Sequence, residues 1–501
     1  MKKEIIKTIL LSAGFSTLSY AQETPVNKPV ENSGATSKSS YYIEPGTYGT
    51  QRETDPPKYV RNLSEIGLRS LQKNDWLNVG LDYRSRFEIR HQDIRRSEIT
   101  TDYPLLLRTR AYLGVKNILD PFRFVVEFED AHSVNSKFEA DDRDFNRAEL
   151  IQAYGELYFK NALGKDKLGN YRPVSIRFGR QAFEFLDRRL IALNQWRNTT
   201  NNFLGFRTAI GQDKNDWQID LLAVRPINRL IYEFDETDHN RDFYTAIGHW
   251  RKWSNFITIE PYYLGLTQRA DASNNNRNRQ IHSPGIRVYG WLNKQHINYD
   301  ITYTHQFGED NGLKQDAYAF TSEAGYTFKN SWKPRISLFY GYVSGDKIST
   351  DKVNNRFERF FGFARPWSSD DYIIPENIVT PKVKLEFEPI KGVKIDGGYS
   401  YYWLASSTDR FNNLLAGENN RDASGKSGRF VGHGLDSRVR FFPVKFIEAN
   451  LGYTHFTSGE FVINRQEAAL GKTTEGIGSS DFFYIELSFN AFDAVKKYAK
   501  K

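Results

Sequence analysis

From Trp76 onward the chain alternates apolar and polar residues with a period of two. Leu77, Val79, Leu81, Tyr83, Phe87 and Ile89 share one face of an extended segment, and Asn78, Asp82, Arg84, Arg86 and Glu88 share the other. Successive side chains of a strand point to opposite sides, so the pattern predicts a strand with one apolar and one wet face. The next segment repeats it, with Leu105, Leu107, Ala111, Leu113 and Val115 set against Arg108, Arg110 and Tyr112. Later examples are as regular. Ile297, Tyr299, Ile301, Tyr303 and Phe307 alternate with Asn298, Asp300, Thr302 and Gln306, and Phe483, Ile485, Leu487 and Phe489 with Tyr484, Glu486 and Ser488.

Roughly 18 or 19 such segments fit between Trp76 and Asn490, each about the length that a tilted membrane-spanning strand needs. Short connections such as Lys252-Trp253-Ser254, Asn293-Lys294-Gln295 and Pro443-Val444-Lys445 alternate with long polar ones, among them Asp235 to Arg241, Ala270 to Gln280, Asp346 to Pro375 and Thr408 to Arg429. Short turns on one side and long loops on the other are the pattern of a bacterial outer-membrane barrel, which favours even strand numbers. The predicted fold is therefore all-β: a transmembrane antiparallel β-barrel of about 18 strands with long extracellular loops and short periplasmic turns. A soluble β-sandwich array or a β-helix also alternates. Neither needs the aromatic residues found near strand ends, Trp250, Trp253, Tyr262, Tyr263, Trp291 and Trp403, which in a bilayer sit at headgroup level.

Composition agrees with export. Lys2, Lys3 and Lys7 precede a short apolar run, Ile9 to Leu18, and Ser19-Tyr20-Ala21 supplies a cleavage site, so residues 1–21 read as a signal peptide. That run is too short to span a bilayer, and no Cys follows it to carry a lipid. The chain holds no Cys at all, which removes disulfides and thiol chemistry. It is rich in aromatics, with 29 Tyr and 36 Phe, yet its mean hydropathy is −0.62. Helical membrane spans are excluded, whereas a barrel needs only alternate residues to be apolar. Residues 22–73 read as a disordered or plug-like N-terminal segment, 74–490 as the barrel and 491–501 as a periplasmic tail.

The wet face decides what passes a barrel. It is rich in arginine, with Arg84, Arg86, Arg108, Arg110, Arg177 and Arg207 accompanied by acids such as Glu127 and Glu129. One reading is an electropositive lumen that attracts an anionic solute through forked guanidinium donors. The other is a wall stiffened by cross-strand ion pairs, and both are compatible with the pattern. Arginine is densest between Ile176 and Ile210, where Arg177, Arg180, Arg188, Arg189, Arg197 and Arg207 meet Glu184 and Asp187. The alternation breaks at Phe185-Leu186-Asp187-Arg188, as expected of a loop folded into the lumen, and Gly179 permits close backbone approach.

These residues also carry a resemblance. Phe178-Gly179-Arg180-Gln181, Asp187-Arg188-Arg189-Leu190, Trp196 and Gly205-Phe206-Arg207 resemble the signature of the alginate export family of outer-membrane proteins. Leu107-Arg108-Thr109-Arg110 with Leu113-Gly114, then Glu127-Phe128-Glu129-Asp130-Ala131, fit its preceding part. The resemblance implies a monomeric 18-stranded barrel that passes an anionic polyuronate, with Arg108, Arg110, Arg180, Arg188, Arg189 and Arg207 lining or shaping an electropositive constriction. The chain departs from the pattern at Leu204-Gly205, where the family usually has Asp-Gly, and in the run Arg356 to Pro366.

No catalytic set emerges. The nine His residues show no metal-binding spacing, and no Gly-x-Ser-x-Gly elbow or phosphate-cradling loop is present. Basic residues are interleaved with acids rather than gathered in a stripe, which argues against nucleic acid. The expectation is a channel without cofactor, metal or enzyme activity. It would sit among outer-membrane lipid and lipopolysaccharide, pass a charged polysaccharide, oligosaccharide or organic acid, and work with or without periplasmic partners. The alternatives are a general porin and a barrel-embedded hydrolase. The predicted substrate path comprises Arg84, Arg86, Arg108, Arg110, Glu127, Glu129, Arg177, Arg180, Asp187, Arg188, Arg189 and Arg207.

Overall fold

Period-two segments have one way to satisfy every backbone group in lipid, which is to pair with both neighbours and close. In the computed structural model 18 long strands do so. They are β1 (Leu77–His91), β2 (Leu105–Leu119), β3 (Phe122–Val134), β4 (Asn146–Phe159), β5 (Val174–Gln181) and β6 (Phe203–Ile210). There follow β7 (Trp217–Asn228), β8 (Arg241–Trp250), β9 (Thr258–Gln268), β10 (Arg279–Leu292), β11 (Ile297–Asp310) and β12 (Leu313–Thr327). The last are β13 (Arg335–Val343), β14 (Ile378–Ile390), β15 (Val393–Trp403), β16 (Phe430–Val444), β17 (Ile447–Ser458) and β18 (Ser479–Asn490). Each pairs antiparallel with its neighbours in sequence, and β1 closes the barrel against β18, with Asp82 opposite Asn490 and His91 opposite Asp481. The structure describes residues 39–47, 52–96, 100–272, 275–292, 296–411, 420–470 and 478–499. The expected signal peptide, residues 1–21, lies outside the described residues.

Side-chain direction follows the alternation. On β1, Leu81, Tyr83 and Phe87 face out, at 40%, 42% and 37% exposure, while Asp82, Arg84, Arg86 and Glu88 are buried inside. Two of the expected interfacial aromatics turn the other way. Tyr262 is buried, its hydroxyl 2.6 Å from Thr304 Oγ1, because it adjoins the outward Tyr263 and consecutive strand residues cannot share a face. Trp291 donates from its indole to Glu44 O at 3.1 Å and so meets residues 39–47 instead of lipid.

Two long loops fold inward from the end opposite the short turns. The loop between β5 and β6 and the loop between β13 and β14 are zipped together by backbone bonds: Ala192 N to Phe361 O (3.1 Å), Phe361 N to Leu190 O (3.1 Å) and Phe363 N to Arg188 O (2.9 Å). Their apolar residues, among them Phe185, Ile191, Phe357, Phe360 and Trp367, bury against Phe243, Ile247, Leu264, Ile281 and Phe339 of the inner wall. Each large side chain so buried contributes about 1.5–3 kcal/mol. Toward the loop end the lumen beside β8 to β13 is therefore filled by an apolar cluster, whereas toward the turn end the same strands keep a polar inner face, with Arg287 between Glu260 and Asp300 and Arg335 paired with Glu323.

At the turn end, helix α2 (Ala491–Tyr498), which occupies the expected tail, follows β18 and is capped by the Asn490 side chain accepting from Asp493 N. A longer helix, α1 (Glu460–Leu470), lies in the loop after β17. Gly179 and Gly205 face each other across β5 and β6 with positive φ (134° and 149°). A Cβ at either would stand 2.3 Å from a carbonyl oxygen of the next strand, so only glycine lets these strands approach their neighbours.

Candidate functional site

The site is what the inward loops leave open. Residues 52–62 enter the lumen from the turn end and divide that half into two chambers, with Glu53, Lys58 and Arg110 on the rim of both. The larger, of about 570 Å³, is walled by β1, β2 and β14 to β18. Its basic side chains are Lys58, Arg61, Arg84, Arg108, Arg110, Arg188, Arg365, Lys382, Lys384, Arg438, Arg440 and Lys445. Its acids are fewer: Glu53, Asp82, Glu386, Asp396, Asp436, Glu448, Glu486 and Asp493. The smaller chamber, of about 420 Å³, is walled by β3, β4, β6 and β7 and reverses the balance. There Glu44, Glu53, Asp55, Glu127, Glu184, Asp213 and Asp220 outnumber Arg52, Lys58, Arg110 and Arg207.

The register places Arg84 opposite Arg108, a like-charge pair that needs outside help. Part of that help comes from the inward loop. Arg84 donates to Gln195 O (2.7 Å), Arg197 O (2.8 Å) and Asn198 Oδ1 (3.0 Å), and Arg108 reaches Gln195 O and Arg197 O only at 3.4 and 3.5 Å. A carboxylate stands farther off, Glu486 at 3.7 Å from Arg84. The buried Nε–H groups of Arg84 and Arg108 have no acceptor among the described residues. Arg86 is better served: it pairs with Glu88 at 2.7 Å and Glu486 at 3.2 Å, and donates to Trp196 O. The Trp196 ring lies between two guanidiniums, Arg86 at 3.8 Å and Arg365 at 3.4 Å from its centroid. Such stacking holds a charge at the cavity edge without neutralising it.

The remaining expected path residues fall into other settings. Arg110 pairs with Asp82 at 3.6 Å and lies over the Tyr59 ring. Glu127 accepts from the Tyr59 hydroxyl at 2.6 Å and from Gln152. Glu129, fully buried, accepts from Thr200 N (3.0 Å) and Thr200 Oγ1 (2.6 Å) and so pins the inward loop to β3. Arg180 pairs with Glu149 and donates to Asp235 O at the barrel's loop end. Arg177, opposite Arg207, meets Glu156 at 2.9 Å, and Arg207 meets Asp220 at 3.2 Å. Asp55 of the crossing segment bridges the two arginines at 2.6 and 3.3 Å. Within the loop, Asp187 pairs with Arg189 at 2.5 Å, and Arg188 faces the larger chamber over the Phe363 ring.

Arg365 and residues 52–62 were not singled out from the sequence. Arg365 lies in the run Arg356 to Pro366, whose lack of regular alternation leaves no basis for giving it a direction.

A model of the alginate export family matches residues 75–474, from the first barrel strand into the loop before the last. The chain belongs to the alginate export family. Family and fold are those of an outer-membrane channel. The barrel is similar to Pseudomonas aeruginosa OccK11 (OpdR), with a TM-score of 0.52 and 11% identity over 86% of this chain and 98% of that one. It is similar to OccK2 (OpdF) of the same organism, solved in complex with glucuronate (TM-score 0.52, 11% identity, 82% and 97% covered). Acinetobacter baumannii OccAB1 is a third (TM-score 0.54, 10% identity, 82% and 96% covered). At these identities the likeness is one of fold. No curated protein matches the chain. Residues 52–62 and helix α2 lie outside the stretch that matches the alginate export family.

Proposed function

We propose that this alginate export family member is an anion-selective channel that carries a carboxylate-bearing saccharide, a uronate or its oligomers, through the larger chamber. The observation that carries the reading is the surplus of cations around that 570 Å³ space, where Arg108 donates only weakly to carbonyls and Arg365 is stacked on Trp196. Guanidinium groups not matched one-for-one by carboxylates attract anions and present a fork that fits a carboxylate. The family's name points to a polyuronate, and OccK2 was solved with a uronate bound. The solute moves down its own gradient in this reading, and no residue is given a catalytic role.

The test is the reversal potential of the purified protein in planar bilayers under a salt gradient, repeated with sodium glucuronate. Wild type is expected to prefer anions, and Arg108→Ala with Arg365→Ala to lower that preference, because charged side chains lining a pore set its selectivity. A wild-type pore with no anion preference overturns the proposal.

A further inference from the structure

Residues 52–58 lie in the lumen, and anchored residues are found on either side of them in the chain, at 39–47 and at 59–62. On one side, residues 39–47 are tied to the turn rim: Tyr41 N donates to Lys214 O at 3.0 Å, and Lys384 Nζ donates to Thr47 Oγ1 at 2.7 Å. On the other, Arg61 and Asn62 pair with Val79 and Asn78 of β1. There the Arg61 guanidinium grips Asp493 of helix α2 at 2.6 and 2.5 Å, and Asn490 Nδ2 donates to Tyr59 O at 2.9 Å.

Residues 52–58 themselves are held differently. Thr54, Asp55, Pro56 and Lys58 are exposed to the chambers, and of residues 52–58 only Pro57 is buried. What holds it is polar: Asp55 in the Arg177–Arg207 fork, and Glu53 accepting from Gln195 while its own N–H donates to Glu184. The Asp55 side chain keeps 45% of its surface accessible. Ion pairs that water reaches contribute little and are screened by salt. The segment thus has a firm downstream end and a wet, ionic middle.

Resting on the proposed anion channel, we infer that residues 52–58 are a releasable partition that sets the selectivity of the pore. In place, the partition confines conduction to the cation-rich chamber. Displaced, it joins that chamber to the acid-rich one, giving a wider lumen whose opposite charges offset each other. Its removal also frees the Arg177–Arg207 fork toward a third cavity of about 300 Å³ at the turn end, which Asp55 and Arg207 both line.

The experiment uses the full-length protein in planar bilayers. Glu53→Ala with Asp55→Ala is expected to raise unit conductance about twofold, since chambers of 570 and 420 Å³ then conduct together, and to lower anion preference by a similar factor. Asp55→Glu keeps the carboxylate and is expected to behave as wild type. Should the alanine pair fail to fold, as judged by loss of heat-modifiable migration, Pro56→Gly with Pro57→Gly loosens the segment without touching a charge. It is expected to shift both readouts the same way. An anion-selective wild type whose conductance and preference survive both variants overturns the partition alone. A wild type without anion preference overturns the functional reading instead, whatever the variants do.

Discussion

Two arginine pairs face each other across neighbouring strands, Arg84 with Arg108 and Arg177 with Arg207, and the sequence presents them alike. The fold treats them in opposite ways. Around Arg177 and Arg207 it gathers three carboxylates, Glu156, Asp220 and Asp55, so the pair becomes a neutralised brace. Around Arg84 and Arg108 it brings carbonyl oxygens of residues 195 and 197, with Glu486 at the edge. A carbonyl satisfies an N–H without cancelling its charge, so this pair still projects a positive field into the chamber. Arginine on an inward face is therefore not by itself evidence of a conducting surface; the acids that reach it decide.

The sharpest way to break the comparison is to remove the braced arginine. Arg207→Ala leaves the fully buried Asp220 with only Gln218 and His249 as partners among the described residues, and loss of the guanidinium from a buried pair costs about 3 kcal/mol, the low end for such pairs. A lowered urea midpoint of unfolding is the expected outcome, with a smaller change in reversal potential than Glu53→Ala with Asp55→Ala gives, since Arg177 still holds Asp55. Next comes the pin of the inward loop. Glu129→Ala removes the acceptor of both Thr200 bonds, a loss of about 2 kcal/mol, and is expected to appear as added open-channel noise with the barrel intact. Arg108→Ala is smaller still for stability, within about 1 kcal/mol of wild type because it also relieves the like charge of Arg84, yet it lowers anion preference. If Arg108→Ala destabilised as much as Arg207→Ala, the two pairs would not differ in kind.

The last effect is a pH dependence. Asp370, in the inward loop before β14, is buried, and that burial raises its carboxyl from 3.8 to about 6, with Arg95 opposing and Asp436 adding to the rise. The loop-in state therefore binds a proton that the released loop does not between those values. Its hold is strongest at the acid end, weakens as pH rises from about 4 to about 6 and is level above. Asp370→Asn is expected to flatten that window, measured as channel noise against pH.

The strands were legible because lipid on one side and a polar lumen on the other impose a period of two that each segment displays alone. Ile297 to Phe307 and Phe483 to Phe489 needed no partner to be read. The path residues were legible as inward-facing but not as conducting. Glu129 turned out to be a loop anchor and Arg177 a brace, because their partners, Thr200 and Asp55, lie 71 and 122 residues away. The Leu190–Phe361 zipper joins two loops without regular alternation, and neither half announces the other. Tyr262 and Trp291 were misplaced as interfacial aromatics, since an aromatic side chain suits a lumen wall as well as a headgroup layer.

By itself the sequence determined that the chain is a barrel, a strand number of about 18 and the face that most strand residues take, since alternation is a local property that one solvent boundary enforces residue by residue. Only the tertiary structure decided which charges remain in surplus, that two loops fill part of the lumen with an apolar cluster, and that residues 52–62 stand between a basic and an acidic chamber. Those outcomes depend on which distant carboxylate or carbonyl reaches each guanidinium, and charge compensation inside a closed barrel is set by three-dimensional proximity, which no local pattern carries.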